Sequence, residues 1–106
     1  MQVDLTGRTA LVTGSDRNTG KVIATALATA GATLVVHSNA DADSARATAA
    51  ELPDAVALCG DIATDTGCGT LCADIDEAGL TIDILVNNYG TAAPGTWASA
   101  GTDDWL

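Results

Sequence analysis

Residues 8–20 of the chain read Arg-Thr-Ala-Leu-Val-Thr-Gly-Ser-Asp-Arg-Asn-Thr-Gly, and this stretch decides the fold. Its first part predicts a short buried strand over residues 9–13, followed by a glycine-rich turn that leads into a helix. The backbone N–H groups at the end of such a strand and at the start of the helix are free, and the helix dipole adds positive charge there. The stretch therefore predicts a cradle for phosphate that needs no charged side chain.

The two glycines that bracket this turn have separate predicted roles. Gly14 supplies the positive φ that a tight strand-to-helix turn can require. Gly20 leaves room for the helix to lie close to the strand, or for a diphosphate to approach the backbone. Because only two glycines are present, with five residues between them, the turn differs from the common G-x-G-x-x-G pattern. An ordinary strand–helix turn without a ligand is the alternative.

The composition limits the class of protein and its partners. A length of 106 residues suits a single domain over residues 1–106, and a net charge of −10 argues against nucleic acid or an anionic membrane surface as a partner. No apolar run is long enough to span a membrane, and the N-terminus does not resemble a signal peptide. The three cysteines are an odd number, so no disulfide framework is expected. These features predict a cytoplasmic protein.

Beyond the turn, apolar stretches and breaker residues predict alternating helices and strands. Residues 19–30, 41–52 and 65–78 are predicted helices, and residues 32–36, 55–59 and 82–87 are predicted strands. The second helix is capped by Asp41 or Asp43 and the third by Thr64. Polar residues from His37 onward end the second strand.

Two of the helices have predicted apolar faces. The first face comprises Val22, Ile23, Ala26, Leu27 and Ala30, and the face of the third helix comprises Cys68, Leu71, Cys72, Ile75 and Ala78. We interpret Cys68 and Cys72 as small core residues, because no further ligands accompany them to form a metal site.

The resulting order, βαβαβαβ, predicts an α/β fold with a doubly wound parallel sheet and helices on both faces. Right-handed crossovers favour the strand order 3-2-1-4. The winding reverses between the first and fourth strands, so a crevice is expected at their carboxyl ends. The turn at 14–20 and the segment 87–90, Asn-Asn-Tyr-Gly, meet at that crevice.

Several motifs, in order along the chain, resemble those of the short-chain dehydrogenases/reductases. Residues 13–20 resemble that family's Thr-Gly-x-x-x-Gly-x-Gly turn, and Asp61-Ile62 resembles its Asp after the third strand. Residues 83–90, Asp-Ile-Leu-Val-Asn-Asn-Tyr-Gly, are similar to its Asp-Ile-Leu-Val-Asn-Asn-Ala-Gly signature, and residues 103–105 resemble the start of the next helix. The resemblance implies a Rossmann-like domain that binds a nicotinamide dinucleotide.

The resemblance also implies roles for individual residues. The turn residues line the cofactor phosphates, Asp61 hydrogen-bonds the adenine, Asn88 lies near the adenosine ribose, and Asn87 stabilises the sheet edge. The complete set of candidate cofactor-binding residues is Gly14, Arg17, Asn18, Thr19, Gly20, His37, Ser38, Asn39, Asp61, Ile62, Asn88, Tyr89 and Gly90.

The end of the second strand favours NADP over NAD. An NAD site usually places an acid there to bind the ribose hydroxyls, and residues 36–39, Val-His-Ser-Asn, contain none. Arg17 in the turn fits a 2′-phosphate, which a guanidinium binds with two hydrogen bonds. His37, Ser38 and Asn39 are expected to add hydrogen bonds. The alternative for Arg17 is a solvated charge paired with Asp16.

Three departures from the family pattern concern the turn, the crevice and the catalytic residues. Asn18 stands in place of the middle glycine, and Asn tolerates left-handed backbone better than most residues. Tyr89 replaces a small alanine. The family's catalytic Ser and Tyr-x-x-x-Lys have no counterpart, because the only tyrosine is Tyr89 and the only lysine is Lys21.

We therefore expect the NADP(H)-binding N-terminal part of an alcohol/carbonyl oxidoreductase, truncated after the fourth strand and inactive by itself. The longer parent is expected to act on a small carbonyl or alcohol and to form a homo-oligomer. A chain of this kind exposes the apolar edge of its fourth strand and is expected to be marginally stable. The alternative is a non-catalytic nucleotide-binding or interaction module of the same fold.

Overall fold

In the computed structural model, residues 3–88 are described, and strands and helices alternate throughout this range. The elements are β1 (Thr9–Val12), α1 (Asn18–Thr29), β2 (Thr33–Ser38), α2 (Ala42–Ala50), β3 (Ala55–Cys59), α3 (Asp65–Glu77) and β4 (Ile84–Val86). No helix in residues 3–88 combines the length and hydropathy needed to cross a membrane. The helix start predicted at 103–105 lies outside the described residues.

The four strands form one parallel sheet in the order β3-β2-β1-β4, which confirms the predicted topology. Val12 in the central strand pairs with Val36 on one side and with Val86 on the other. The chain winds in opposite directions from β1 to β2 and from β1 to β4. The carboxyl ends of β1 and β4 therefore flank a crevice.

Alternate residues of the central strands point to opposite faces of the sheet, and helices cover both faces. One face packs against α1 and α2 and buries Ala10, Val12, Leu34, Val36, Ala24, Ala28 and Ala45. The other face packs against α3 and buries Leu11, Val35, Leu71 and Ile75. The two-sided burial explains why β1 and β2 are continuous apolar runs.

The face that α1 presents to the sheet differs from the predicted one. Its buried residues are Gly20, Ala24 and Ala28, spaced four apart, whereas Val22 is 69% exposed. A row of small residues lets the helix axis approach the sheet, and the larger apolar residues then lie beside the contact or outside it. The prediction that Val22 and Ala26 face the core is wrong, because both residues are exposed.

The two cysteines of α3 are also placed differently from the prediction. Leu71 and Ile75 form the buried stripe of the helix, as expected, but Cys68 and Cys72 are exposed. Their interpretation as small core residues is therefore wrong. Only a narrow stripe of α3 reaches the sheet, and the thiol of Cys68 instead donates a hydrogen bond to the carbonyl of Ile62 at 3.3 Å.

Strand β2 continues two residues beyond the predicted end. His37 and Ser38 pair with Leu58 and Cys59 of β3, and both polar side chains are buried. The neighbouring strand supplies backbone partners that extend β2 in spite of its polar side chains. This extension places the His37 side chain beside Gly14, in the turn between β1 and α1.

Candidate functional site

A cavity of about 450 Å³ opens at the carboxyl edge of the sheet, beside the turn that joins β1 to α1. The candidate residues that line it are Gly14, Arg17, Asn18, Thr19, Ser38, Asn39 and Asn88. Asp16, Ala40 and Asp41 complete the lining and were not among the candidates. Tyr89 and Gly90 lie outside the described residues. The cavity is within the size range of small-molecule sites.

The turn contains two residues in the left-handed region of backbone conformation. Gly14 has φ +64° and Asn18 has φ +55°, and Asn18 is the one non-glycine residue with positive φ in the described range. Asparagine adopts this conformation at lower cost than most side chains. Asn18 thus keeps the backbone that a glycine would adopt at the same place.

The first turn of α1 packs directly on the backbone of Gly14. A Cβ atom on Gly20 would overlap the carbonyl oxygen of Gly14 and would stand 2.7 Å from Nδ2 of Asn88. Of the two predicted roles for Gly20, the structure shows the close packing of helix on turn.

The backbone amides at the end of β1 do not face the cavity. Gly14 N–H donates to Nδ1 of His37 at 3.0 Å, and Ser15 N–H donates to the carbonyl of His37 at 2.9 Å. The prediction that these N–H groups are free is wrong. The extension of β2 brings His37 alongside the turn, where it satisfies both donors.

The amides at the start of α1 remain available. The side chain of Arg17, the N-cap residue, makes no capping hydrogen bond, and no described residue accepts from the N–H groups of Asn18, Thr19 and Gly20. In contrast, Asp41 caps α2 and Thr64 caps α3, as predicted, each accepting a backbone N–H at 3.0 Å. The N-terminus of this 12-residue helix thus offers unpaired donors and the positive end of its dipole to the cavity.

Arg17 lies between two carboxylates at the rim of the cavity. Its Nε lies 2.9 Å from Oδ2 of Asp16, and its Nη2 lies 3.2 Å from Oδ2 of Asp41. The Asp16 side chain is only 8% exposed, whereas those of Arg17 and Asp41 are 57% and 53% exposed. The pairing with Asp16 that we considered for Arg17 is therefore present, and the guanidinium still reaches solvent.

The environment of Asp16 favours its ionised form. Burial by itself would raise the pKa of Asp16, but hydrogen bonds from Arg17, Ser44 and Ser38 and the charge of Arg17 outweigh it. The pKa of Asp16 consequently lies below its ordinary value.

We expect the ionised form of Asp16 to stabilise the folded chain, and this stabilisation should be lost at acid pH. Its pKa is lower in the folded chain than in the unfolded chain, so its contribution is complete above about pH 3.8 and is lost as pH falls through the folded value. Urea unfolding between pH 2 and 6 should show a shallower acid loss for Asp16→Asn than for wild type. Asp76→Asn, on the exposed side of α3, is the control and should lose stability as steeply as wild type. Equal acid slopes for Asp16→Asn and wild type would contradict this assignment.

His37 has no polar ring atom left for a ligand. Its exposure is 0%, Nδ1 accepts from Gly14, and Nε2 lies 2.8 Å from the carbonyl of Gly60. Because Nδ1 accepts, the ring is neutral with its proton on Nε2, which donates to Gly60. The expected hydrogen bond from His37 to a bound phosphate is replaced by a supporting role that links the turn to the end of β3.

The segment after β3 is covered by the side chain of Asn39. Asn39 Nδ2 donates to Oδ1 of Asp61 at 3.0 Å, and Asn39 Oδ1 accepts from Ile62 N–H at 2.9 Å. Asp61 is exposed and Ile62 is half-buried, and neither residue lines the cavity. Gly67 of α3 packs against this segment so closely that a Cβ there would overlap the carbonyl oxygen of Asp61.

Asn88 connects the end of β4 to the turn. Its backbone N–H donates to Oγ1 of Thr13 at 3.0 Å, and its Nδ2 donates to the carbonyl of Gly14 at 3.3 Å. The structure thus brings the turn, the end of β2 and the end of β4 together around one cavity, as the motifs predict.

A parallel sheet in the order 3-2-1-4, with an uncapped helix start at its topological switch point, is the arrangement of dinucleotide-binding domains. Residues 8–106 match the family described as short chain dehydrogenase, and the chain belongs to this family. The chain is 36% identical to an uncharacterized oxidoreductase, YvaG, of Bacillus subtilis, covering all of this chain and 40% of that protein.

Solved structures of other proteins are also similar to this chain in sequence and in fold. The Pseudomonas aeruginosa RhlG/NADP active-site complex is 37% identical, with a TM-score of 0.78 over 84% of this chain and 37% of that one. L-sorbose reductase from Gluconobacter frateurii, complexed with NADPH and L-sorbose, is 28% identical, with a TM-score of 0.81 over 99% of this chain and 41% of that one. The chain spans about two fifths of the length of these relatives.

Proposed function

We propose that the chain binds NADP(H) and forms the nucleotide-binding part of an alcohol/carbonyl oxidoreductase. The observation that carries this proposal is the uncapped start of α1, where Asn18 and Thr19 line the cavity beside Arg17. A diphosphate needs such donors and such a positive end. Relatives solved with NADP and NADPH support the choice of dinucleotide.

The described residues fit the separate parts of an NADP molecule. The amides of residues 18–20 receive the diphosphate, and Arg17, with Ser38 nearby, receives the 2′-phosphate. Asp61 and Ile62 receive the adenine, and Asn88 lies on the ribose side. The proposal extends to Tyr89 and Gly90 at the nicotinamide end. When bound, the dinucleotide supplies or accepts a hydride, and these residues hold and orient it.

Charge at the rim of the cavity determines how strongly a 2′-phosphate is held. Arg17 faces two carboxylates, and a phosphate would compete with the more exposed one, Asp41. The guanidinium can keep Asp16 and exchange Asp41 for the phosphate. Asp41 therefore opposes NADP binding in two ways. Its carboxylate is paired with the Arg17 guanidinium, and its negative charge repels the 2′-phosphate.

We expect substitutions of these two residues to change NADPH affinity in opposite directions. Arg17→Ala should weaken NADPH binding at least tenfold and leave NADH binding nearly unchanged, because only NADPH carries the 2′-phosphate. Asp41→Asn keeps a capping oxygen for α2 and removes the charge, and it should tighten NADPH binding about threefold or more. Isothermal titration calorimetry of both dinucleotides measures these changes.

Arg46→Ala is the matched control for Arg17→Ala, because Arg46 pairs with Asp43 on α2, away from the cavity lining. Its affinities should equal those of wild type. Tighter binding of NADH than of NADPH by wild type would overturn the choice of NADP. An equal loss for both dinucleotides in Arg17→Ala would overturn the role of Arg17.

The longer protein is included in the proposal. We place hydride transfer to a small carbonyl, or from a small alcohol, in that protein, as a homo-oligomer in the cytoplasm, where the free thiols of Cys59, Cys68 and Cys72 stay reduced. The chain by itself should bind NADPH without oxidising it when sorbose or another small carbonyl is added. Absorbance at the nicotinamide band measures this directly.

A further inference from the structure

The carboxamide of Asn39 is held at both ends by the segment after β3. Its NH₂ group donates to the carboxylate of Asp61, and its oxygen accepts from the backbone N–H of Ile62. The two contacts are 3.0 and 2.9 Å long and join the carboxamide to two consecutive residues. Asn39 is half-buried and lines the cavity, whereas Asp61 and Ile62 do not.

This pair of groups recognises one chemical pattern, an acceptor atom beside an amino donor. The carboxamide of asparagine has that pattern, and so does the edge of adenine formed by N1 and the 6-amino group. Hypoxanthine reverses it, with a donor at N1 and an acceptor at position 6. The Asn39 side chain therefore presents to Asp61 and Ile62 the same hydrogen-bonding edge that an adenine would present.

We infer that Asn39 is an internal competitor for adenine, which occupies the base-recognition pair in the free protein and rotates away when an adenine nucleotide binds. This inference rests on the proposed function, since it concerns the adenine end of the same dinucleotide. Asn39, Asp61 and the Ile62 amide form a three-part latch, and the adenine replaces Asn39 in it.

The residues on either side of Asn39 differ in their surroundings. Ser38, the preceding residue, is 3% exposed and is held in the sheet by its pairing with Cys59. Ala40 and Asp41, the following residues, are exposed and line the open side of the cavity. Asp61 is itself exposed and Ile62 is half-buried, so rotation of the Asn39 side chain would free the Asp61 carboxylate and the Ile62 amide for a ligand.

The latch lowers the apparent affinity for adenine nucleotides. A ligand that needs the open state binds with its intrinsic affinity multiplied by the open fraction. Two hydrogen bonds, one of them to a carboxylate, hold the latch closed. Adenine forms the same two hydrogen bonds with Asp61 and Ile62, so it replaces the two that are broken when Asn39 rotates away. A base with the reversed pattern cannot form them.

The first test removes the competitor. Asn39→Ala should bind adenosine 2′,5′-bisphosphate about fivefold or more tightly than wild type in calorimetric titrations, and NADPH should follow. Inorganic pyrophosphate, which has no base, should bind both proteins equally. Asp76→Ala, on the exposed side of α3, is the control and should behave as wild type. In an Asp61→Ala background, adding Asn39→Ala should give no gain.

The second test follows the Ile62 amide by hydrogen exchange in the full chain. The amide should be protected in free wild type, should exchange at least tenfold faster in free Asn39→Ala, and should regain protection when NADPH is added to that variant. The hypoxanthine counterpart of NADPH should not restore it, because its N1 cannot accept a hydrogen bond.

The outcomes separate this inference from the proposed function. If NADPH binds wild type and Asn39→Ala with equal affinity, or the free Ile62 amide exchanges equally in both, the inference is overturned and the proposed function stands. Weaker binding by Asn39→Ala would make Asn39 a direct ligand and would overturn the inference too. If neither protein binds NADPH, both the proposed function and the inference fail. Asn39→Ser, with circular dichroism on every variant, repeats the test should Asn39→Ala not fold.

Discussion

Gly20→Ala should destabilise the chain by about 3 kcal/mol and should abolish dinucleotide binding. The added Cβ would overlap the carbonyl oxygen of Gly14 and press on the Asn88 amide. The first of these is backbone and cannot move aside without displacing the turn that the helix start supports. Urea unfolding measures the stability, and NADPH titration measures the binding.

Gly69→Ala is the matched control, because it makes the same chemical change in another helix. A Cβ on Gly69 meets nothing within 4 Å, and the residue lies in the exposed middle of α3. Alanine has the better helix propensity, so this variant should gain roughly 0.5–1 kcal/mol. A Gly20→Ala chain as stable as wild type would show that the helix does not pack on Gly14 as described.

His37→Leu should lower the free energy of unfolding by about 2–5 kcal/mol. Leucine fills a similar volume but leaves Gly14 N–H and the Gly60 carbonyl without their ring partners. Each unpaired backbone group in the interior costs about 1–3 kcal/mol. Denaturant unfolding measures the loss, and faster hydrogen exchange at Gly14 should accompany it.

Two conservative variants test the contacts of the two His37 ring nitrogens separately. Asparagine can present an acceptor near the position of Nδ1, so His37→Asn should restore protection of the Gly14 amide. Glutamine reaches toward the position of Nε2, so His37→Gln should restore mainly the contact to Gly60. Both should be more stable than His37→Leu. A His37→Leu loss below about 0.5 kcal/mol would mean that water replaces both contacts.

The topology and the helix caps could be predicted because their causes are local. Continuous apolar runs mark strands that are buried on both faces, and alternation with helices leaves few topologies. Asp41 and Thr64 are capping residues by type and position, and each accepts the expected N–H. The turn between β1 and α1 could be predicted for the same reason, since its glycine spacing and its helix start are contiguous.

The placement of His37 could not be predicted, because the length of β2 depends on a partner strand about 20 residues further along the chain. Polar residues usually end a strand, but β3 continues alongside and keeps His37 and Ser38 in the sheet. The packing of α1 was missed for a similar reason. A prediction from helical periodicity places the most hydrophobic residues on the buried face. Because α1 lies close to the sheet, the small residues Gly20 and Ala24 are buried instead, and Val22 is exposed.

The position of β1 in the sheet has a consequence for biosynthesis. β1 leaves the ribosome before the other three strands of this sheet, yet Ala10 pairs with Ile84, which is translated 74 residues later. At about 5–20 residues per second, the nascent chain waits several seconds with one edge of β1 uncovered. Such a high contact order slows folding, and during translation the exposed edge is a natural point for chaperone contact.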